Sequence, residues 1–336
     1  LVIPGICGPL AEIQPLKNHR IVKDWIKVLS RAGNSLSFPG VYNVLASIFD
    51  LTIEGDFPEA ALLMLAADKY DAGLNYMCAD PVHLQADMDH AVLTSSVDLA
   101  ITETESAALC EALNQHFNQD GIRFIRTANT QWVLESTERV QLETTPLLDA
   151  VGRNVNFILP AGETSVYWKQ MLTEAQMLMH SHEINIKREN AGQPVINSLW
   201  IHGSGNLPEV NNCRVTSACS NSKLFKGLAS HVQCEYLQLP DSASEYTDVL
   251  LSSQSPVNLL HLSALEHLVN YSDVNIWLAE FTEVLNHWVY PLLKMAGKNN
   301  IKILLYPCNE KKYQFSKYDA LKFWRQKNLE QHVKAY

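Results

Sequence analysis

His182, Asn185 and Arg188 follow one another at intervals of three residues. On a helix such spacing gathers side chains on one face. Arg188 offers a planar fork of donors suited to a phosphate or carboxylate, and a neighbouring imidazole and amide can orient the same anion. The stretch 174–205 that carries them opens with helical periodicity at Ala175, Leu178 and Met179 and turns polar at 182–185. It breaks at Gly192, Gln193 and Pro194, runs apolar over 195–201 and closes on Gly203, Ser204 and Gly205. The pattern predicts a helix, a polar elbow and a strand feeding a glycine turn, with Asn197 on that strand, all set around one anion. A plainer reading, a helix-terminal histidine beside a solvated arginine, uses the same residues.

Asp80 and His83 form a second candidate in the run ADPVHL. Pro81 disfavours helix at the residue before it, so both belong on a strand or loop. Two ligand types fall short of the three or four that a metal site needs, which favours an orienting role over metal binding. His180 and His182 are two apart and would face different ways on a helix, unlike the HExxH pairing. GxSxG, P-loop and GxGxxG motifs are absent from the sequence. Ser37 is a weak nucleophile candidate, with no base near it in sequence to activate it. The seven cysteines are scattered singly without CxxC spacing, which predicts reduced thiols in a cytoplasmic protein, most of them small buried hydrophobes.

Elements that could position these residues are legible at low resolution. The chain has 336 residues, 47% of them apolar and 18% charged, with a formal net charge of −10. That length can bury a large core, and the charge argues against nucleic acid or an anionic membrane as a main partner. No apolar run approaches the roughly 20 residues of a membrane span. Pro4, Gly5, Gly8 and Pro9 interrupt the opening stretch, so 1–24 does not read as a targeting segment. Expected helices cover 21–32, 41–49, 58–68, 103–117, 222–230, 245–253 and a long 274–296. Expected strands cover 1–7, 76–84, 91–94, 98–101, 121–127, 130–135, 235–239, 257–262 and 301–306. The alternation of strands and helices after 205 predicts a mainly parallel sheet flanked by helices. The end of the chain, 311–336, carries seven Lys/Arg against two Asp/Glu and reads either as a docked helix or as a basic tail for an acidic protein partner.

Together the run 182–188, the Gly192–Gln193–Pro194 break, Asn197 and the turn from His202 to Gly205 resemble a signature of archaeal-type cofactor-independent phosphoglycerate mutases, of the alkaline-phosphatase-like superfamily. The chain is similar in particular to bacterial phosphoglycerate-mutase-like and regulatory proteins of unproven chemistry. The resemblance covers about 75–205. It implies an α/β fold, with an alkaline-phosphatase-like core at 1–74 and 206–336 and an inserted α+β cap at 75–205. It also implies a substrate side made of Asp80, His83, His182, Asn185, Arg188 and Asn197.

The flanks depart from the family. Its metal-binding aspartate after the first strand corresponds to Pro4–Gly5 here, and its catalytic serine to the neighbourhood of Ser37. A late Asp and His four apart correspond to Ser263 and His267, and a final Asp–His pair to Cys308–Asn309. The resemblance therefore implies a degenerate metal site with no cofactor expected, and a non-catalytic or regulatory protein that retains a small phosphorylated ligand. One alternative is an active phosphomutase or phosphatase holding manganese or zinc on a relocated set of His261, Glu266, His267 and Asp273. Another is a scaffold protein working through its basic tail.

Overall fold

A computed structural model describes residues 1–8, 16, 18–87, 90–95, 98–252, 256–270, 274–317, 319, 322 and 325. The fold is mixed α/β and divides into two compact units, one made of 1–51 with 210–336 and the other of 52–209. Residues 52–74 and 206–209 thus fall with the inserted segment, whereas the sequence reading gave them to the split one. The helix Glu59–Ala66 explains this: Ala60, Ala61, Leu63 and Met64 form one apolar cluster with Tyr76, Cys78 and Val133. No helix among the described residues is long and apolar enough to cross a membrane.

In the split unit, strand Ser217–Cys219 lies between Glu235–Leu237 and Asn258–Leu260, parallel to both. Val2 bridges His261 and Tyr306 in the same parallel sense, so the start of the chain contributes one bridging residue where a full strand is expected. Strand Ile303–Leu305 also pairs antiparallel with Asn309–Phe315, which in turn pairs with Gly33–Pro39. Gly33–Pro39 is a strand that periodicity does not announce. Five of its seven residues are exposed, Leu36 and Phe38 among them, so no buried apolar face marks it. The expected helix 274–296 is instead Val274–Val284, a π-turn at Leu285–Val289 and Tyr290–Asn299. Pro291 has no N–H to give to the preceding turn, and the chain widens there to keep its ladder. Trp277 stacks on Phe281 at 4.5 Å, Trp25 meets Phe281 edge-on at 6.5 Å, and the Trp277 indole N–H donates to the Gly5 carbonyl.

In the inserted unit, the strand Asn75–Asp87 is the spine. It pairs antiparallel with Trp132–Ser136 near its start, with Ser198–His202 in its middle and with His90–Thr94 near its end. Trp132–Ser136 takes Ile122–Arg126 on its other side. Met77 and Ala79 face a core of Leu109, Leu113 and Phe117 from the helix Glu103–Phe117, with Trp168, Met171 and Ala175 from Ser165–Ser181. Thr102 caps the first of these helices in a reciprocal box with Glu105. The expected strand at 98–101 is a turn with Ala100 at φ +46°.

Arg188, on the helix Glu183–Asn190, holds this unit together from inside. Its Nε donates to the Pro194 carbonyl, its NH1 to Glu105 Oε1 at 2.9 Å and its NH2 to the Leu99 carbonyl at 2.6 Å. Its side chain is 4% exposed, and removing one partner of such a pair typically costs about 3–5 kcal/mol. Arg188→Met should therefore lower unfolding stability by about 3 kcal/mol in urea melts. A change within about 0.5 kcal/mol would instead mark a solvent-facing arginine.

Candidate functional site

A buried cluster of ionisable side chains lies on the second face of the spine. Cys78 and His202 are paired residues of antiparallel strands, so their side chains emerge on the same face, and Asp80 shares it two residues on. The first turn of Glu59–Ala66 sets Glu59 beside them. Gly203 permits that approach, because a Cβ there would sit 3.0 Å from the Glu59 Cβ, and the residue has φ +60°. The Ala60 N–H donates to the Gly203 carbonyl at 3.2 Å.

His202 Nε2 is 3.0 Å from Asp80 Oδ2, while Asp80 Oδ1 accepts the Trp132 backbone N–H at 2.9 Å. The other ring nitrogen, Nδ1, lies 3.6 Å from Glu59 Oε2, is buried, and makes no hydrogen bond among the described residues. One donor atom each from Glu59, Cys78 and His202 fall within 4.8 Å of one another, so these three residues could hold a metal ion. Their exposures are 7%, 0% and 2%. Nearby, Asp56 accepts from the Thr144 N–H and hydroxyl and from Ser204. Burial raises the Asp56 pKa. Burial pushes the Cys78 thiol well up, with the charges of Glu59 and Asp80 adding to the effect. Burial opposes a charge on His202, but the Asp80 hydrogen bond and the Glu59, Asp80 and Asp56 carboxylates outweigh it and leave the pKa raised.

The residues expected to clamp an anion at 182–197 are bonded to the protein's own groups. Arg188 is spent on protein groups. Asn185 donates to the Met179 and Ile196 carbonyls and accepts the Ile196 N–H. Asn197 exchanges two hydrogen bonds with the Leu84 backbone. His182 ends the helix Ser165–Ser181 and caps Glu183–Asn190 through Nδ1, so the polar elbow is a junction between two helices. His83 bonds the Val195 carbonyl through Nδ1. Of the six residues on the implied substrate side, only Asp80 belongs to the ionisable cluster, and there it orients His202. The cluster escaped the sequence reading because pairing of 78 with 202 is a matter of register. Its legible traces are the period-two run Cys78, Asp80 and a histidine ending the apolar stretch.

In the split unit, burial holds several groups at the ends of the parallel strands neutral. His261 stacks on Phe225 at 4.1 Å and contacts the Ser220 hydroxyl through Nδ1. Burial lowers its pKa to about 3. Burial pushes the Cys7 thiol up to about 12, with Asn309 bonded to it, and raises Cys308 further. Glu266 and His267 are half-buried, Ser263 is exposed, and Asp273 lies outside the described residues. Ser37 sits at an irregularity of strand Gly33–Pro39, where the register against Asn309–Phe315 shifts, and not at a helix start. Lys311 and Lys312 lie on the strand Asn309–Phe315; residues 318, 320, 321, 323, 324 and 326–336 of the expected tail are outside the described set.

Residues 77–185 match the family model described as 2,3-bisphosphoglycerate-independent phosphoglycerate mutase. The enzyme of that name from Methanosarcina mazei is 22% identical over 210 residues, covering 59% of this chain and 53% of the relative. The second such enzyme of Methanothermobacter thermautotrophicus is 27% identical over 160 residues, 44% of this chain and 38% of its own. The chain thus spans about half the length, or less, of the relatives it matches. The PH0037 protein from Pyrococcus horikoshii shares the fold, with a TM-score of 0.53 at 14% identity, over 94% of this chain and 86% of that one. Over its middle third, and by these relatives, the chain is similar to cofactor-independent phosphoglycerate mutases.

Proposed function

We propose that the split unit is alkaline-phosphatase-like in arrangement and that metal-dependent mutase turnover has been lost from it, leaving a binding or regulatory protein. The neutral strand ends carry this reading. Two divalent cations bridging a phosphoryl group need several anionic oxygens, with imidazole beside them. The positions that the resemblance aligns with ligands hold Pro4, Ser263, Cys308 and Asn309, and His267 alone keeps its type. Cys308 offers soft sulfur and Asn309 a neutral amide where hard cations need carboxylate oxygens, and His261 packs as an aromatic plate against Phe225. This donor set does not fit a two-cation centre. In the relocated set of His261, Glu266 and His267, the Nδ1 of His261 is already on the Ser220 hydroxyl and its ring lies on Phe225, so it would offer a cation Nε2 alone.

On the substrate side, His83 and His182 each bond through Nδ1 among the described residues, and Nε2 is the nitrogen that would meet a ligand. A small phosphorylated ligand remains part of the proposal on those two imidazoles, without an arginine clamp. Supplied with manganese or zinc and 3-phosphoglycerate, the full chain should show no interconversion with 2-phosphoglycerate by phosphorus NMR. Turnover above the metal-only control overturns the proposal.

Acid stability tests the state of His261 directly. The folded pKa is about 3 against an ordinary 6.5, so the folded protein keeps the ring neutral while the unfolded chain takes up a proton below 6.5. Between those values the unfolded state binds more protons, and stability falls as the pH drops, by up to about 1.4 kcal/mol per unit. His261→Gln should remove this contribution, so wild type loses stability relative to the variant across that window in urea melts. Parallel pH profiles would show that the ring is already charged or exposed.

A further inference from the structure

We propose that Glu59, Cys78 and His202 form a binding site for one divalent cation of borderline softness, zinc foremost, in the inserted unit. One carboxylate, one thiolate and one imidazole make a mixed oxygen, sulfur and nitrogen set, which suits zinc and ill suits magnesium, calcium or manganese. The spacing fits. A tetrahedral zinc holding nitrogen and oxygen at about 2.0–2.1 Å sets them roughly 3.4 Å apart, and Nδ1 and Oε2 stand 3.6 Å apart. The three donors converge from three elements fixed to one another: paired positions on two strands and a helix first turn tied to Gly203.

The surroundings are those of a ligand and not of a bystander. Asp80 accepts a hydrogen bond from the His202 Nε2–H, which favours the tautomer whose Nδ1 lone pair points at Glu59, and the Trp132 N–H fixes Asp80 in turn. Metal-bound histidines carry this carboxylate partner on the second nitrogen. The rival reading is an imidazolium shared by Asp80 and Glu59. It would place Nδ1–H within hydrogen-bond range of Oε2, and 3.6 Å lies beyond that range.

On binding, the Cys78 S–H bond breaks, the sulfur keeps the electron pair and donates it to the cation, and the proton leaves to solvent. At 7%, 0% and 2% exposure the donors are closed to bulk water, so the ion would act as a staple within this unit. The site belongs to the inserted unit alone and stands whichever way the mutase assay falls.

The full chain, stripped with a chelator and re-dialysed, should bind about one zinc by elemental analysis. Cobalt in its place should give a near-ultraviolet thiolate-to-metal charge-transfer band. Cys78→Ser should abolish that band, and Asp80→Asn should weaken zinc affinity by about 10–100-fold, as loss of a ligand's outer partner does. No stoichiometric zinc, a cobalt complex without the band, or a band that survives in Cys78→Ser overturns the proposal. So does nitrogen NMR showing His202 protonated on both ring nitrogens in the presence of zinc. Should a variant fail to fold, the wild-type cobalt spectrum decides alone.

Discussion

The register of one strand governs the inserted unit. Asn75–Asp87 alternates its side chains strictly between two faces, and its pairing with Ser198–His202 sets Cys78 against His202. A slip of one residue would turn Met77 and Ala79 away from the Leu109–Phe117 core and carry Cys78 and Asp80 into it. The apolar face and the ionisable face are therefore specified together. Burying Met77 among aromatic and aliphatic neighbours is what holds Cys78, Asp80 and His202 within reach of Glu59.

Desolvation shapes the chemistry of both units. In the inserted unit the ionisable groups are buried with partners: Arg188 with Glu105 and two carbonyls, His202 with Asp80, Asp56 with Thr144. A guanidinium is affordable inside a protein only when its donors are matched, and this one is matched by the chain itself, so no donor fork is presented to a ligand. In the split unit burial acts on groups that can stay neutral. His261, Cys7 and Cys308 are kept uncharged, which suits their close packing.

Much of the fold was legible because its signals are local. The helix Glu103–Phe117 carries its cap and its apolar stripe within fifteen residues, and the hairpin of Ile122–Arg126 with Trp132–Ser136 announces itself by alternation. What escaped depends on distant partners. Gly33–Pro39 becomes a strand because Asn309–Phe315 lies beside it. The helix after Val274 reads as continuous until one considers that Pro291 removes a donor. The functional reading suffered in the same way. Arg188, Asn185 and Asn197 read as groups for an anion because their partners, the Glu105 carboxylate and backbone atoms, are ones that only the folded chain brings near. The ionisable cluster lay unseen because its members are separated by 19 and 124 residues, and no spacing rule reaches across such gaps.

Glu105 carries two duties with its two oxygens. Oε2 closes the capping box on Thr102, while Oε1 accepts from Arg188, 83 residues away. The start of one helix and the buried charge of another thus share a single carboxylate. In the course of descent, neither position can drift alone: losing the glutamate strands a guanidinium and frays a helix at once, and losing the arginine leaves a carboxylate without its counterion. Positions 105 and 188 should therefore vary as a pair among related chains, each substitution tolerated only on the background of the other.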